Sequence, residues 1–416
     1  MSRSSHTTAA VVVLGALFFL FGFTTWINGP LIGYLKIICE LKDGAEPFYV
    51  TFAFYIAYFV TALPMSAVLQ RTGMKRGMMY GLFTMAIGAL LFIPAAQGRS
   101  YGLFLLGLFV IGTGLSLLQT ASNPYITVVG PMESAAARIS IMGICNKLAG
   151  VLAPVILGSV LLGDAATLKT ELAGLDATAY AGRLDEVAAR VILPYCIMAA
   201  VLFGLGLMVR SSPLPELDPE VDAPGSSNDG RGILSFPNLV LGVIALFLYV
   251  GVEVMAGDTI GLYGESQGMS LEESKSLTSY TLGCMVIGYV IGIFGIPKFF
   301  SQSKALSASA VLGVVLTVAA IMLKGTVSVY CIALLGLANA LVWPAIWPLA
   351  IAGLGRHTKT GSALLIMAIA GGALLPLLYG NLAGGSLGHQ NAYWIMVPCY
   401  LFMLWYGVKG ARILRW

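Results

Sequence analysis

The chain has 416 residues, of which 58% are hydrophobic and only 10% charged, with a formal net charge of +4. Soluble domains carry about 25% charged residues, so this composition excludes a water-soluble fold and reads as an integral membrane protein. The small positive balance follows from cations placed in connectors and gives no reason to expect nucleic acid as a partner.

Apolar runs of about 20 residues, enough to cross a hydrocarbon core of about 30 Å, recur along almost the whole length. Twelve are predicted, at 11–35, 48–69, 77–97, 101–126, 138–162, 190–210, 237–262, 276–297, 304–323, 326–352, 360–381 and 390–409. The first is too long for a secretory leader. It passes into Trp26-Ile27-Asn28-Gly29-Pro30 without a small-residue cleavage site, so it reads as an uncleaved span. Between runs two and three, Gly73 sits among Arg71, Lys75 and Arg76, which predicts a tight turn carrying cations. The acidic, alanine-rich stretch from Asp164 to Arg190 is expected to form a short helix or loop outside the bilayer. Residues 211–235, rich in Pro, Ser, Gly, Asp and Glu, read as a cytoplasmic linker between two six-helix bundles, 1–210 and 236–416.

A faint repeat supports that division. Asn123-Pro124 is followed by Gly130, a basic turn, and a span with Pro154 and Gly158. Trp343-Pro344 is followed by Gly355, a basic turn, and a span with Pro376 and Gly380. The Pro-to-Pro separations are 30 and 32 residues. Fourteen Lys and Arg fall in the termini and even-numbered connectors, against eight in the alternate connectors, which puts both termini in the cytoplasm. The six cysteines lack paired spacing, and no disulfide or metal site is expected from them. His6, His357 and His389 all lie in termini or connectors, so no histidine relay is expected at membrane depth.

Only two carboxylates, Glu253 and Asp258, fall inside an apolar run. A charge at membrane depth costs roughly 2.5–3.5 kcal/mol on insertion scales, which marks a substrate or ion pathway. Gly251 and Gly257 flank Glu253, so the helix is expected to unwind there. In an unbroken helix Asp258 would stand about 140° round from Glu253, and it is expected near the end of its span, within reach of interfacial water. Lys147 is the only cation well inside a run, and these two acids are its only intramembrane partners. The alternatives for such a pair are a switch between access states or a static structural contact. Asn28, Gln119, Asn123, Asn146 and Asn339 also lie inside runs; amides both donate and accept, which suits sugar hydroxyls, but they equally glue helices together. Trp26, Trp343 and Trp347 offer flat faces for a pyranose ring or anchor at an interface.

Several stretches resemble one known group. Gly114-Leu115-Ser116-Leu117-Leu118-Gln119-Thr120-Ala121-Ser122-Asn123-Pro124-Tyr125 is similar to the fourth-helix motif of the fucose:proton symporter family, within the major facilitator superfamily. Lys359-Thr360-Gly361-Ser362 with Met367 to Gly372 resembles its eleventh-helix motif, and Asn339 with Trp343-Pro344-Ala345-Ile346 its tenth. Tyr249-Val250-Gly251-Val252-Glu253-Val254 resembles the seventh helix of its glucose/galactose branch. The resemblance implies the all-α, twelve-helix major facilitator fold and cation-coupled sugar uptake by alternating access. Three departures stand out. Gly29 replaces an Asp of the fucose permeases, Gln119 replaces their Glu, and Gly288-Tyr289-Val290-Ile291-Gly292 lacks the usual Arg.

The sequence is therefore read as a symporter for a neutral hexose, glucose or galactose, in a bacterial inner membrane. Asn28, Gln119, Asn123, Asn146, Asn339 and Trp343 are the expected sugar contacts. Glu253, Asp258 and Lys147 are the expected coupling residues, for H+ or for Na+ bound near Glu253; the neutral Gln119 tilts the reading towards Na+. Beyond the coupling ion no cofactor is expected, and the partners are sugar and lipid, with the chain acting as a monomer. The rivals are an uncoupled facilitator, a carrier of an amino sugar or disaccharide, a drug-efflux transporter, and a polytopic membrane enzyme. The enzyme reading is disfavoured by the lack of an acidic, His or metal-binding cluster.

Overall fold

The computed structural model describes residues 3–128, 135–212, 232–295, 301–354 and 357–413. The predicted linker lies largely outside them, as do Gly130 and Gly355 and the side chains of Asn123 and Lys359. Among the described residues all regular structure is helical. The first half contains α1 (Arg3–Trp26), α2 (Asn28–Ile38), α3 (Tyr49–Thr72), α4 (Met74–Leu90), α5 (Phe92–Gln97), α6 (Tyr101–Val128), α7 (Ala135–Leu161), α8 (Ala165–Ala173), α9 (Ala177–Ala189) and α10 (Ile192–Ser211). The second contains α11 (Pro237–Asp258), α12 (Ile260–Ser266), α13 (Leu271–Ser274), α14 (Leu277–Gly295), α15 (Gln302–Met322), α16 (Gly325–Asn339), α17 (Val342–Ile351), α18 (Thr358–Met367), α19 (Gly371–Ala383), α20 (Gly388–Ala392) and α21 (Met396–Val408).

Among the described residues, eleven helical segments are long and apolar enough to span a bilayer. The twelfth predicted run is also helical, but it is divided among α20, a 3-10 turn at Tyr393–Ile395, and α21. Water is absent from a bilayer core, so helices satisfy their own backbone, and the apolar side chains then face lipid or each other. Gly73 closes the predicted tight turn between α3 and α4 at φ +79°, a conformation that a Cβ disfavours. The acidic stretch forms two helices, α8 and α9; the Asp176 carboxylate caps α9 by accepting from the Thr178 and Ala179 N–H groups.

Packing groups α1, α3, α4, α6, α7 and α10 on one side and α11, α14 to α17, α19 and α21 on the other, and α7 with α14 and α3 with α19 form the main bridges between them. The bridges are tight on the face that carries the 39–48 connector. There Phe48 meets Tyr379 edge-on at 5.6 Å, Ser279 donates to the Val151 carbonyl at 2.8 Å, and a Cβ on Gly384 would come within 2.5 Å of Gly44.

Three runs are interrupted beside a polar side chain: at Ile27 before Asn28, at Thr259 after Asp258, and at Ala340–Leu341 after Asn339.

Candidate functional site

Glu253 projects from α11 towards α7, where Lys147 meets it with Nζ 2.8 Å from Oε1. Both side chains are about nine-tenths buried, so the pair lies in the interior between the two groups of helices. The Lys147 ammonium also sits 4.7 Å from the centroid of the Trp26 ring. A desolvated cation over an indole face gains about 2 kcal/mol, which offsets part of the burial cost. Trp26 reaches this place because two glycines make room for it. A Cβ on Gly257 would come within 2.5 Å of its ring, and one on Gly150 within 2.6 Å.

This corrects one expectation. The helix does not unwind around Glu253: α11 is continuous from Pro237 to Asp258. Gly257 is a notch for Trp26, and Gly251 is a notch for Leu375, which would lie 2.5 Å from an added Cβ. The glycines serve close packing, as small residues do between membrane helices. Continuity of the helix separates the two acids, so that Glu253 turns to α7 and Asp258 turns to α3.

Asp258 also departs from expectation. It is not open to interfacial water; it is 1% exposed, because α12 continues the chain beyond it and α3 covers it. Thr51 donates to its Oδ2 at a long 3.4 Å, and Oδ1 has no hydrogen-bond partner. Nearby on α3 the Tyr55 hydroxyl is likewise buried and unpartnered.

The amides are dispersed around these groups. Asn28 is fully buried, and neither its oxygen nor its nitrogen has a partner. The Asn339 oxygen accepts from the Tyr400 hydroxyl at 2.8 Å, and its Nδ2 is unpartnered. Gln119 donates to the Tyr58 hydroxyl at 3.0 Å, and Asn146 donates to the Phe18 carbonyl at 3.4 Å. A buried amide left unbonded costs about 1–3 kcal/mol per group, so Asn28 and Asn339 hold capacity for a ligand that donates and accepts. Gln119 and Asn146 are at least partly engaged within the protein. Trp343 is half-buried and stacks on Trp347, with centroids 5.5 Å apart at 22° and Tyr249 beyond at 6.4 Å. Asn123 cannot join this description, since its side chain lies outside the described residues.

Sequence reasoning missed the hydroxyl face of α3. Thr51, Tyr55 and Tyr58 recur at spacings of four and three, one face of a helix, and that periodicity was the available signal. It also missed Tyr249, Tyr289 and Tyr400, which lie within the field of the Glu253 carboxylate. Among the described residues, no three His, Cys, Asp or Glu side chains come together as a metal site would require.

Residues 14–376 match the Major Facilitator Superfamily. A glucose/galactose transporter of Brucella abortus is 34% identical over 97% of this chain and 94% of its own length. An L-fucose-proton symporter of Escherichia coli is 28% identical over 93% of this chain and 90% of its own length. A crystal structure of a Major Facilitator Superfamily transporter, FucP, in the outward conformation superposes with a TM-score of 0.74 at 26% identity, covering 95% of this chain and 97% of that one. With twelve helical runs built as described, the chain belongs to the Major Facilitator Superfamily, in the group of these glucose/galactose transporters and L-fucose-proton symporters.

Proposed function

We propose that this protein is a symporter that carries a neutral hexose, glucose or galactose, together with a cation by alternating access. The observation that carries this reading is the Lys147–Glu253 pair: a buried ion pair with one member on each side of the packing divide, with Trp26 laid over the ammonium. Such a pair stabilises the closed packing only while both partners meet. Separating them leaves two desolvated charges, so the pair favours one access state over the other. The unpartnered amide groups of Asn28 and Asn339 supply hydrogen bonds of both senses to a sugar, and relatives with the right names support the hexose class. The excess of Lys and Arg in the termini and even-numbered connectors supports an inner-membrane orientation with both ends cytoplasmic, which makes the 39–48 connector face the outer one. On the same grounds, residues 1–210 and 236–416 are the two bundles that rock around the site, joined by 211–235.

The test is transport by reconstituted Glu253→Gln. Loss of accumulation against a gradient, with exchange of labelled sugar retained, is the expected result; undiminished accumulation would sink the coupling role. One observation favours a second reading, an uncoupled facilitator: Gly29 and Gln119 stand where fucose permeases carry carboxylates. Wild-type protein that only equilibrates hexose under every ion gradient would decide for that reading.

A further inference from the structure

We propose that the Tyr55 hydroxyl is a sugar-recognition group, and that together with the bare oxygen of Asp258 it reads one particular hydroxyl of the hexose. The proposal rests on the hexose-carrier reading above and adds a specificity-determining residue to it. Tyr55 is 3% exposed, and its hydroxyl has no hydrogen-bond partner. A buried hydroxyl left unbonded is destabilising, and folded proteins hold few of them.

Four other hydroxyls among the described residues share that condition, and their places set Tyr55 apart. Tyr195 on α10 lies flat on Phe92 of α5, with ring centroids 3.7 Å apart, inside the first half. Ser116 and Ser122 belong to α6, which packs mainly on α3 and α4. Ser274 lines a small cleft at the connector face. Of the five, Tyr55 is the one whose ring meets the other half beside the acids. A Cβ on Gly372 of α19 would come within 3.1 Å of the Tyr55 ring and 3.0 Å of Val254, the chain neighbour of Glu253.

The surrounding groups select the ligand. Tyr55 stands in the field of Asp258 first and of Glu253 to a smaller degree, yet its hydroxyl bonds to neither. Long side chains in a helix lean towards its N-terminus. Tyr55 therefore leans towards Thr51, one turn back, which donates to Oδ2 of Asp258. A free donor, the Tyr55 O–H, thus stands beside a free acceptor, Oδ1 of Asp258, with neither satisfying the other. Asn28, bare at both its oxygen and its nitrogen, comes from α2, which packs on both α3 and α11. One sugar hydroxyl that donates to Oδ1 and accepts from Tyr55 completes both groups, and a neighbouring hydroxyl of the same ring meets the amide. Because α3 and α19 lie on opposite sides of the packing divide, parting the halves lifts Tyr55 from Gly372 and admits the sugar to its hydroxyl.

The test compares the wild type with Tyr55→Phe, which keeps the ring and removes the hydroxyl alone. Counterflow of labelled glucose and galactose in liposomes needs no ion gradient, so it reads recognition apart from coupling; hexoses lacking one hydroxyl each serve as competitors. The variant should bind the parent hexose about two- to tenfold more weakly, the worth of one neutral hydrogen bond. It should also cease to discriminate against the analogue lacking the hydroxyl at one position, while discrimination at the other positions persists. Without sugar, in detergent, Tyr55→Phe should unfold at or above the wild-type temperature, since no internal hydrogen bond is lost. Undiminished affinity, equal weakening towards every analogue, or a lower unfolding temperature without sugar overturns the proposal. If the variant does not reconstitute, the rise in unfolding temperature on adding hexose decides: a smaller rise than in the wild type is expected, and an equal one overturns the proposal. Failure of the carrier reading shows separately, as wild-type protein that exchanges neither hexose in counterflow.

Discussion

At the connector face, Asp164 is held by two arginines. Arg190 binds both of its oxygens at 2.5 and 2.7 Å, Arg183 binds one at 2.7 Å, and Arg183 in turn reaches Glu171 and Glu186. Deep in the bundle, Glu253 pairs with Lys147, and among the described residues no cation forms an ion pair with Asp258. Where water is at hand, charges are redundant and each partner has substitutes. In the interior, among the described residues, there is one buried ammonium for two buried acids. The surface cluster therefore braces α7, α8 and α9, while the interior pair joins α7 to α11 through a single contact.

The largest break in this comparison comes from removing Lys147. Lys147→Met leaves Glu253 buried without compensation and should cost about 3–5 kcal/mol, read as a fall in thermal unfolding temperature in detergent. Adding Glu253→Gln to that variant should recover most of the loss, because the pair is then gone on both sides. A double variant no more stable than Lys147→Met would mean that the acid had other support.

A smaller effect follows from the notch that seats Trp26. Gly257→Val sets a side chain against the indole ring and should cost about 1–3 kcal/mol by overpacking, with Trp26→Ala relieving part of it. Equal destabilisation with and without Trp26 would show that the clash lies elsewhere.

Asp164→Asn should cost about 1–2 kcal/mol by the same unfolding measurement, because solvent screens part of what the two arginines contribute. A cost matching that of Lys147→Met would erase the distinction between the two clusters.

The acid limb reads the same ion pair by titration. The Arg190 hydrogen bonds hold the Asp164 carboxyl at about 2, below the ordinary carboxylate range, against the opposing pull of burial. A carboxyl whose pKa is lowered in the folded state stabilises it above the unfolded pKa, near 4, and loses that contribution as pH falls towards 2. Unfolding temperature should accordingly decline over that window in the wild type and decline less in Asp164→Asn.

Much of this was legible in the residues. Run length alone gives the spans, because a bilayer demands about 20 apolar residues whatever the fold. The partnership of Lys147 was confined to two acids by scarcity, and the structure selects Glu253. What sequence could not supply was which elements face each other. Gly251 and Gly257 looked like places where a helix opens, but Leu375 and Trp26 fill them from elements distant in the chain. Asp258 looked close to water because it ends its helix, but α3 and α12 bury it. The face of Thr51, Tyr55 and Tyr58 was hidden because hydroxyls in an apolar run resemble ordinary packing until an unpaired acid stands opposite.

The central claim is that hexose movement is tied to a positive charge through the buried acids of α11. The most direct measurement is uptake of labelled glucose and galactose by wild-type proteoliposomes under an inward proton gradient, a sodium gradient, or neither. The account predicts accumulation above the outside concentration with one of the two ion gradients and none without either. Uptake that stops at equilibration in all three conditions would contradict it.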